Sequence, residues 1–387
     1  VRATDPRGFR PPYRQSRQGS PPISVGFSLF ATESQRLAAL PLLEAGVVDA
    51  LEWTVDLGWG ESLPAWATAL LETYGEAGRL YGHGVTLSPT SARSDDERWL
   101  AQLASDPFRY RHVTEHWGFS RTHGLLRGAP MPVIPSMAAI EATIGSMQRL
   151  AAAARVPVGL ENLALALGAD DVDAQPAMLA SVLDAVDGVL LLDLHNLWCQ
   201  AVNYERDPRE LVGRYPLARV RQLHVAGGSW SASAYGKPFR RDTHDALVPD
   251  EVLELVAWTI PRCPALEVVI LERIPDALGD HDAWRAEWTR LRSVVERAAG
   301  EPIVATQPPS RTPLDERGSI DDVARFQDAM TCVLLRGGDA RMAHASLLAH
   351  RDAAPFRDQI AGWELRALEV AIALANKWGV VDGQVDS

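Results

Sequence analysis

Cysteine is scarce in this sequence: 387 residues contain three, Cys199, Cys263 and Cys332, with no CxxC pair. That excludes a disulfide framework and a thiolate zinc site, and the expected setting is a reduced cytoplasm. Positive charge is also short, 38 Lys and Arg against 50 Asp and Glu for a net charge of −12. Such a balance argues against a surface that tracks a phosphate backbone, so nucleic acid is not an expected partner. No apolar run reaches the ~20 residues that span a bilayer, and the first residues lack a secretory apolar stretch, so no membrane is expected either. Neither GxGxxG nor GxxxxGK(S/T) follows the first strand-like run, which removes the nucleotide cradle of open doubly wound sheets.

What is present is ordinary globular material, 47% hydrophobic and 23% charged. Residues 1–22, rich in arginine and proline, have little to bury and read as a disordered tail. From residue 23, short β-branched or apolar runs alternate with stretches of helical period. The runs are VGFSLF (25–30), ALEWTV (50–55), LYGHGV (80–85), RYRHVTEHWGF (109–119), VGLEN (158–162), GVLLLDL (188–194), VRQLHV (220–225) and EVVILER (267–273). Helical period marks ESQRLAALPLLEAG, IEATIGSMQRLAAAA, PAMLASVLDAV and DEVLELVAWTI. Eight strand-then-helix units predict a (β/α)8 TIM barrel over 23–300. A proline-rich linker is expected at 301–317, followed by a small all-helical domain at 318–387. There SIDDVARFQDAMTCVLLRG opens on Ser319 with Asp321 and Asp322, a helix-start pattern, and PFRDQIAGWELRALEVAIALANKWG is a second amphipathic stretch.

Polar residues gather at the strand ends. His83 closes strand three, Glu115 and His116 lie on strand four, and Glu161 with Asn162 ends strand five. Asp193, His195 and Asn196 end strand six, His224 ends strand seven with Asp242 and His244 in the following loop, and Glu272 ends strand eight. In a barrel these ends converge on one face. Charges on successive buried strand ends must be paired or bound to metal. A donor set of imidazoles and carboxylates without thiolate suits iron, zinc or manganese, and the inventory fits two or three ions bridged by Glu161. On this chemistry alone His195 is favoured over Asn196 as a ligand. Glu115 is read either as a group that orients His116 or moves a proton, or as the buried partner of a cation such as Arg111. The loop GGSWSASAYGKPFRR, with Trp230, Tyr235, Lys237, Arg240 and Arg241, reads as a substrate-gripping lid. Trp53, Trp59, Trp117 and Trp198 read as barrel packing.

The motifs HGVTLS (83–88), TEHWGFS (114–120), LEN (160–162), LLDLHN (191–196), LHVAG (223–227), DTH (242–244) and LER (271–273) resemble those of the DUF692 family. These are the multinuclear non-heme iron-dependent oxidases, which are TIM barrels. The resemblance implies two or three irons of mixed Fe(II)/Fe(III) state and dioxygen as co-substrate. It implies oxidation of a Cys or Asp/Asn residue in a ribosomally made precursor peptide. Carried over by position, His83, His116 and Glu161 hold one iron, and Glu161, Asp193, His224 and Glu272 hold the second. Asn196, Asp242 and His244 match the third, most labile site, leaving His195 beside it as a catalytic candidate together with Glu115. Two positions depart from the family pattern: HLAGH becomes HVAGG with Gly228, and DTHG becomes DTHD with Asp245. The ligand series is also similar to that of endonuclease IV, although Asn196 stands where that enzyme has a histidine, and to that of metal-dependent sugar isomerases. A metal-dependent scaffold is the non-enzymatic alternative. The helical domain is expected to bind a peptide leader or a partner protein.

Overall fold

The computed structural model describes residues 23–60, 62–93, 96–123, 125–305 and 316–381. The tail at 1–22 and residues 306–315 of the expected linker lie outside the described residues.

Eight parallel strands close into a barrel. They are β1 (Ser24–Leu29), β2 (Ala50–Thr54), β3 (Leu80–Gly84), β4 (Val113–His116), β5 (Val158–Glu161), β6 (Val189–Asp193), β7 (Val220–Val225) and β8 (Val268–Leu271). Closure is made by β1, whose Phe27 pairs with Leu51 of β2 on one side and Leu271 of β8 on the other. Each expected run overlaps one of these strands, because continuous apolar sequence is what a strand covered on both faces requires. Around the barrel run α1 (Glu33–Glu44), α2 (Ala65–Glu76), α3 (Glu97–Ala104), α4 (Met137–Ala154), α5 (Ala169–Val186), α6 (Leu194–Asn203), α7 (Pro208–Gly213), α8 (Asp250–Thr259) and α9 (His281–Ala298). Trp53 and Trp117 are buried in the core, as expected of packing residues.

The C-terminal segment forms α10 (Ile320–Leu335), α11 (Ala340–Ala349), α12 (Arg357–Ala361) and α13 (Leu365–Trp378). The expected start at Ser319 is a reciprocal cap: Ser319 Oγ accepts from Asp322 N at 3.2 Å and Asp322 Oδ2 accepts from Ser319 N at 2.8 Å. The second amphipathic stretch holds α12 and α13, separated at Gly362–Glu364, where Glu364 N donates to Leu167 O at 2.7 Å. These helices sit on the loops that follow the strand ends. Gln327 clamps the loop after β3, accepting from Ala92 N at 2.9 Å and donating to Thr90 O at 2.8 Å. Asp328 accepts from His123 N at 2.8 Å after β4, and Gln359 donates to Pro135 O at 2.7 Å. Val323, Phe326, Met330 and Ala371 belong to the same apolar cluster as the barrel residues. No helix among the described residues is long and apolar enough to cross a membrane.

Candidate metal centre

Strand register sets the site. β3 and β4 pair with His83 opposite Thr114, and β4 and β5 pair with His116 opposite Glu161. His83 Nδ1 meets Thr114 Oγ1 at 2.9 Å, which leaves Nε2 to face Glu161 Oε2 at 3.2 Å. His116 Nε2 lies 3.3 Å from the same oxygen. On the other side of Glu161, His224 Nδ1 is 3.5 Å from Oε1 and 3.1 Å from Glu272 Oε2. Ligand atoms of His83, His116 and Glu161, and of Glu161, Asp193, His224 and Glu272, lie within 4.8 Å of one another in each group. Glu161 is common to both.

Several atoms of the site are buried and unsatisfied. Glu161 Oε2, Asp193 Oδ2, Asn196 Oδ1 and His224 Nδ1 make no hydrogen bond. Burial, reinforced by the neighbouring Asp242 and Glu161, pushes the Asp193 carboxyl well above its usual range. Against burial, His116, His224 and His83 hold Glu161 well below it. Enclosed carboxylate and imidazole lone pairs aimed at one another are stable when a cation lies between them. These nitrogen and oxygen donors fit iron, zinc or manganese.

The end of β6 resolves the two adjacent residues 195 and 196. The strand stops at Asp193, which caps α6 by accepting from Asn196 N. Residue placement past Asp193 therefore follows helical rotation, not strand alternation. Asn196 folds back over the strand end, with Nδ2 3.0 Å from Asn162 O and 3.4 Å from Glu161 Oε1. His195 points the other way: Nδ1 lies 2.7 Å from Asp242 Oδ1, and Nε2 faces Arg240 at 3.5 Å and Cys199 Sγ at 3.8 Å. Asp242 Oδ2 takes the Nε2 of His244 at 2.7 Å, and His244 reaches the cluster through Glu272 Oε2 at 3.6 Å. Asn196, Asp242 and His244 thus border the two converged groups, with Asp242 shared between two imidazoles. Asn162 is a brace: Asp193 N donates to its Oδ1 at 2.7 Å and its Nδ2 donates to Asp193 O at 3.0 Å.

Glu115 lies on the opposite face of β4 from Thr114 and His116. It accepts from Leu87 N at 2.9 Å and His116 N at 3.0 Å, and fills space that a side chain at Gly84 would occupy, 2.7 Å from where that Cβ would stand. Burial and the nearby Asp56 raise its carboxyl to about 8. The alternative partner is corrected here: Arg111 pairs instead with Glu267 at 2.8 Å.

The loop after β7 is a short hairpin in which Trp230–Ser231 pairs with Phe239–Arg240. Only part of it faces the site. The Arg240 guanidinium lies 4.9 Å from the Trp198 ring centroid and 5.7 Å from that of Trp230, with a buried Nε that makes no hydrogen bond. Arg241 donates to Ser231 Oγ at 3.3 Å. Tyr235 packs toward Arg341 of α11 and Lys237 pairs with Glu205 on the surface, so neither is brought to the cluster. Gly228 explains its own identity: a Cβ there would stand 2.2 Å from Arg241 O and 2.9 Å from both His195 Cε1 and Thr243 N.

Four residues absent from the sequence expectations adjoin the site. Glu52 accepts from Ser28 Oγ at 2.7 Å, from His224 Nε2 at 2.8 Å and from Gln222, which also meets His112 Nε2 at 2.7 Å. Against burial, His224, His83 and Ser28 hold Glu52 at about 2. The signal available in the sequence was a glutamate in the middle of the apolar run ALEWTV and a glutamine in VRQLHV.

The family described as the RiPP precursor modification enzyme MbnB/TglH/ChrH matches residues 61–296. A UPF0276 protein of Bordetella pertussis is 31% identical over 181 residues, 46% of this chain and 63% of that protein. The chain thus spans less than two thirds of that relative's length. A UPF0276 protein of Caulobacter vibrioides is 32% identical over 228 residues, 54% of this chain and 76% of the relative. Among solved structures, the IolI protein with a bound zinc atom aligns at a TM-score of 0.46 and 10% identity, covering 72% of this chain and all of that one.

Proposed function

Because this chain belongs to the MbnB/TglH/ChrH family of RiPP precursor modification enzymes, the DUF692 family, we propose that it is a multinuclear non-heme iron-dependent oxidase. Its substrate on this reading is a ribosomally synthesised precursor peptide, modified with dioxygen at a residue of Cys or Asp/Asn type. The observation that carries the reading is the pair of donor groups sharing Glu161, with unsatisfied lone pairs on Glu161, Asp193 and His224. His83, His116 and Glu161 would hold one iron, Glu161, Asp193, His224 and Glu272 a second, and Asn196, Asp242 and His244 a more weakly held third. Bound iron supplies the electrons that reduce dioxygen and an open position for the substrate atom.

The chain's own groups then have distinct tasks. Thr114 fixes the His83 ring through Nδ1. Glu115 orients His116 through its backbone, with Oε2 4.0 Å from the ring Nδ1. His195, held on Asp242, stands at the edge of the cluster where it would exchange a proton with substrate. Trp230, Arg240 and Arg241 form the wall that grips the peptide near the reacting residue, while Tyr235 and Lys237 hold the hairpin tip. The helices α10–α13, which sit on the strand-end loops, would receive a peptide leader or a partner protein. The test is oxygen uptake and peptide mass with the anaerobically prepared full chain and the product of a short neighbouring reading frame. Oxygen consumption with a mass change on a Cys, Asp or Asn residue is expected. An unchanged peptide with full zinc occupancy and cleavage of abasic DNA would overturn the reading.

A further inference from the structure

A charged side chain in the middle of a barrel strand is costly unless its surroundings require it. Glu52 is such a residue: it lies on β2, which contributes no ligand to either donor group, and is 1% exposed. We propose that Glu52 is a positioning residue that fixes His224 as an Nδ1 metal donor, an inference that rests on the metal-centre reading above.

Donor and acceptor arithmetic supports this. An ionised carboxylate only accepts. Ser28 Oγ donates to Glu52 Oε1 at 2.7 Å, and Oε2 receives Gln222 Nε2 together with His224 Nε2 at 2.8 Å. The Gln222 amide is oriented by the same logic, since its Oε1 takes the Nε2 of His112 at 2.7 Å while its NH2 faces the carboxylate. Reversing that amide would set an oxygen against Glu52. Gln222 Nε2 also lies 2.8 Å from His224 Nε2, so the amide and the carboxylate both face that nitrogen; the carboxylate, which only accepts, requires the ring proton there, and the second nitrogen, Nδ1, points at Glu161 and Glu272 with no hydrogen bond. A carboxylate behind a ligating imidazole sets which nitrogen carries the proton, orients the ring and raises the donor strength of the other nitrogen. The network also touches the second group directly, through Ser28 Oγ 3.4 Å from Glu272 Oε1.

The experiment uses the full chain stripped of metal and titrated anaerobically with Zn(II), with the histidine rings of the zinc-loaded protein followed by long-range proton–nitrogen NMR. In the unaltered chain the His224 ring is expected to carry its proton on Nε2 and zinc on Nδ1. Glu52→Gln should bind the zinc held by the Asp193, His224 and Glu272 group about 10–100-fold more weakly, and leave the His83 and His116 ion at its original affinity. A His224 ring protonated on Nδ1 in the unaltered chain, a result that needs no variant to fold, would overturn the proposal. So would unchanged affinity for both ions in a folded Glu52→Gln protein. Failure of the unaltered chain to take up metal would overturn the parent reading instead, which separates the two.

Discussion

His83 Nε2 and Glu161 Oε2 meet at 3.2 Å in the buried centre of the barrel mouth, and the carboxylate oxygen makes no hydrogen bond. Because Glu161 is shared by both donor groups, Glu161→Gln should lower bound metal at both. His116→Ala, which touches one group only, should remove a single ion. Metal analysis of the two variants beside the unaltered chain checks this; equal losses would show that Glu161 is not a bridge.

His195 has no nitrogen to offer the two groups, since Nδ1 is on Asp242 and Nε2 faces Arg240. His195→Ala should therefore keep the metal content of the unaltered chain and lose turnover by about 100-fold or more, the scale of a proton-transfer group. Loss of one iron from that variant would identify His195 as a ligand.

Gly228 accommodates the backbone of Arg241 and Thr243 where the related motif has histidine. Gly228→Ala should displace that loop and cost about 1–3 kcal/mol, the range for overpacking a filled site. Thermal unfolding measures it, and an unchanged midpoint would mean that the loop yields freely.

His112 gives the pH dependence of stability. Burial depresses it to about 4, although Gln222 and nearby carboxylates favour its charged form. An unfolded histidine titrates near 6.5, so between those values the unfolded state binds more protons. Stability from this group is complete above about pH 6.5 and is lost as pH falls through that window toward 4. His112→Phe should flatten the slope of unfolding free energy between pH 6.5 and 4, and an unchanged slope would assign it to other groups.

The barrel is legible in the sequence because both sides of each strand are covered, so apolar runs mark the strands without needing alternation. The convergence of His83, His116, Glu161, Asp193, His224 and Glu272 is legible for a related reason: they stand at or near the ends of those runs, and the fold brings the ends together. Between His195 and Asn196, residue chemistry alone favours His195 and only the family resemblance points to Asn196, because the placement turns on a cap that local pattern does not show: Asp193 caps α6, and helical rotation swings Asn196 toward Glu161. Glu52, Gln222 and His112 were hidden for another reason. Most of their partners lie 24 to 172 residues away, a pairing that strand order reveals and local pattern does not. The sequence of the loop after β7 reads as one lid, yet its tip lies against the C-terminal helices, with Ala234 N near Glu369 and Tyr235 near Arg341.

Iron stoichiometry of the anaerobically prepared chain, with oxygen uptake followed on adding peptide, tests the central claim most directly. Two or three irons per chain and peptide-dependent oxygen consumption are predicted. A single tightly held ion, or full iron loading with no oxygen consumed in the presence of a peptide shown to bind, would contradict it.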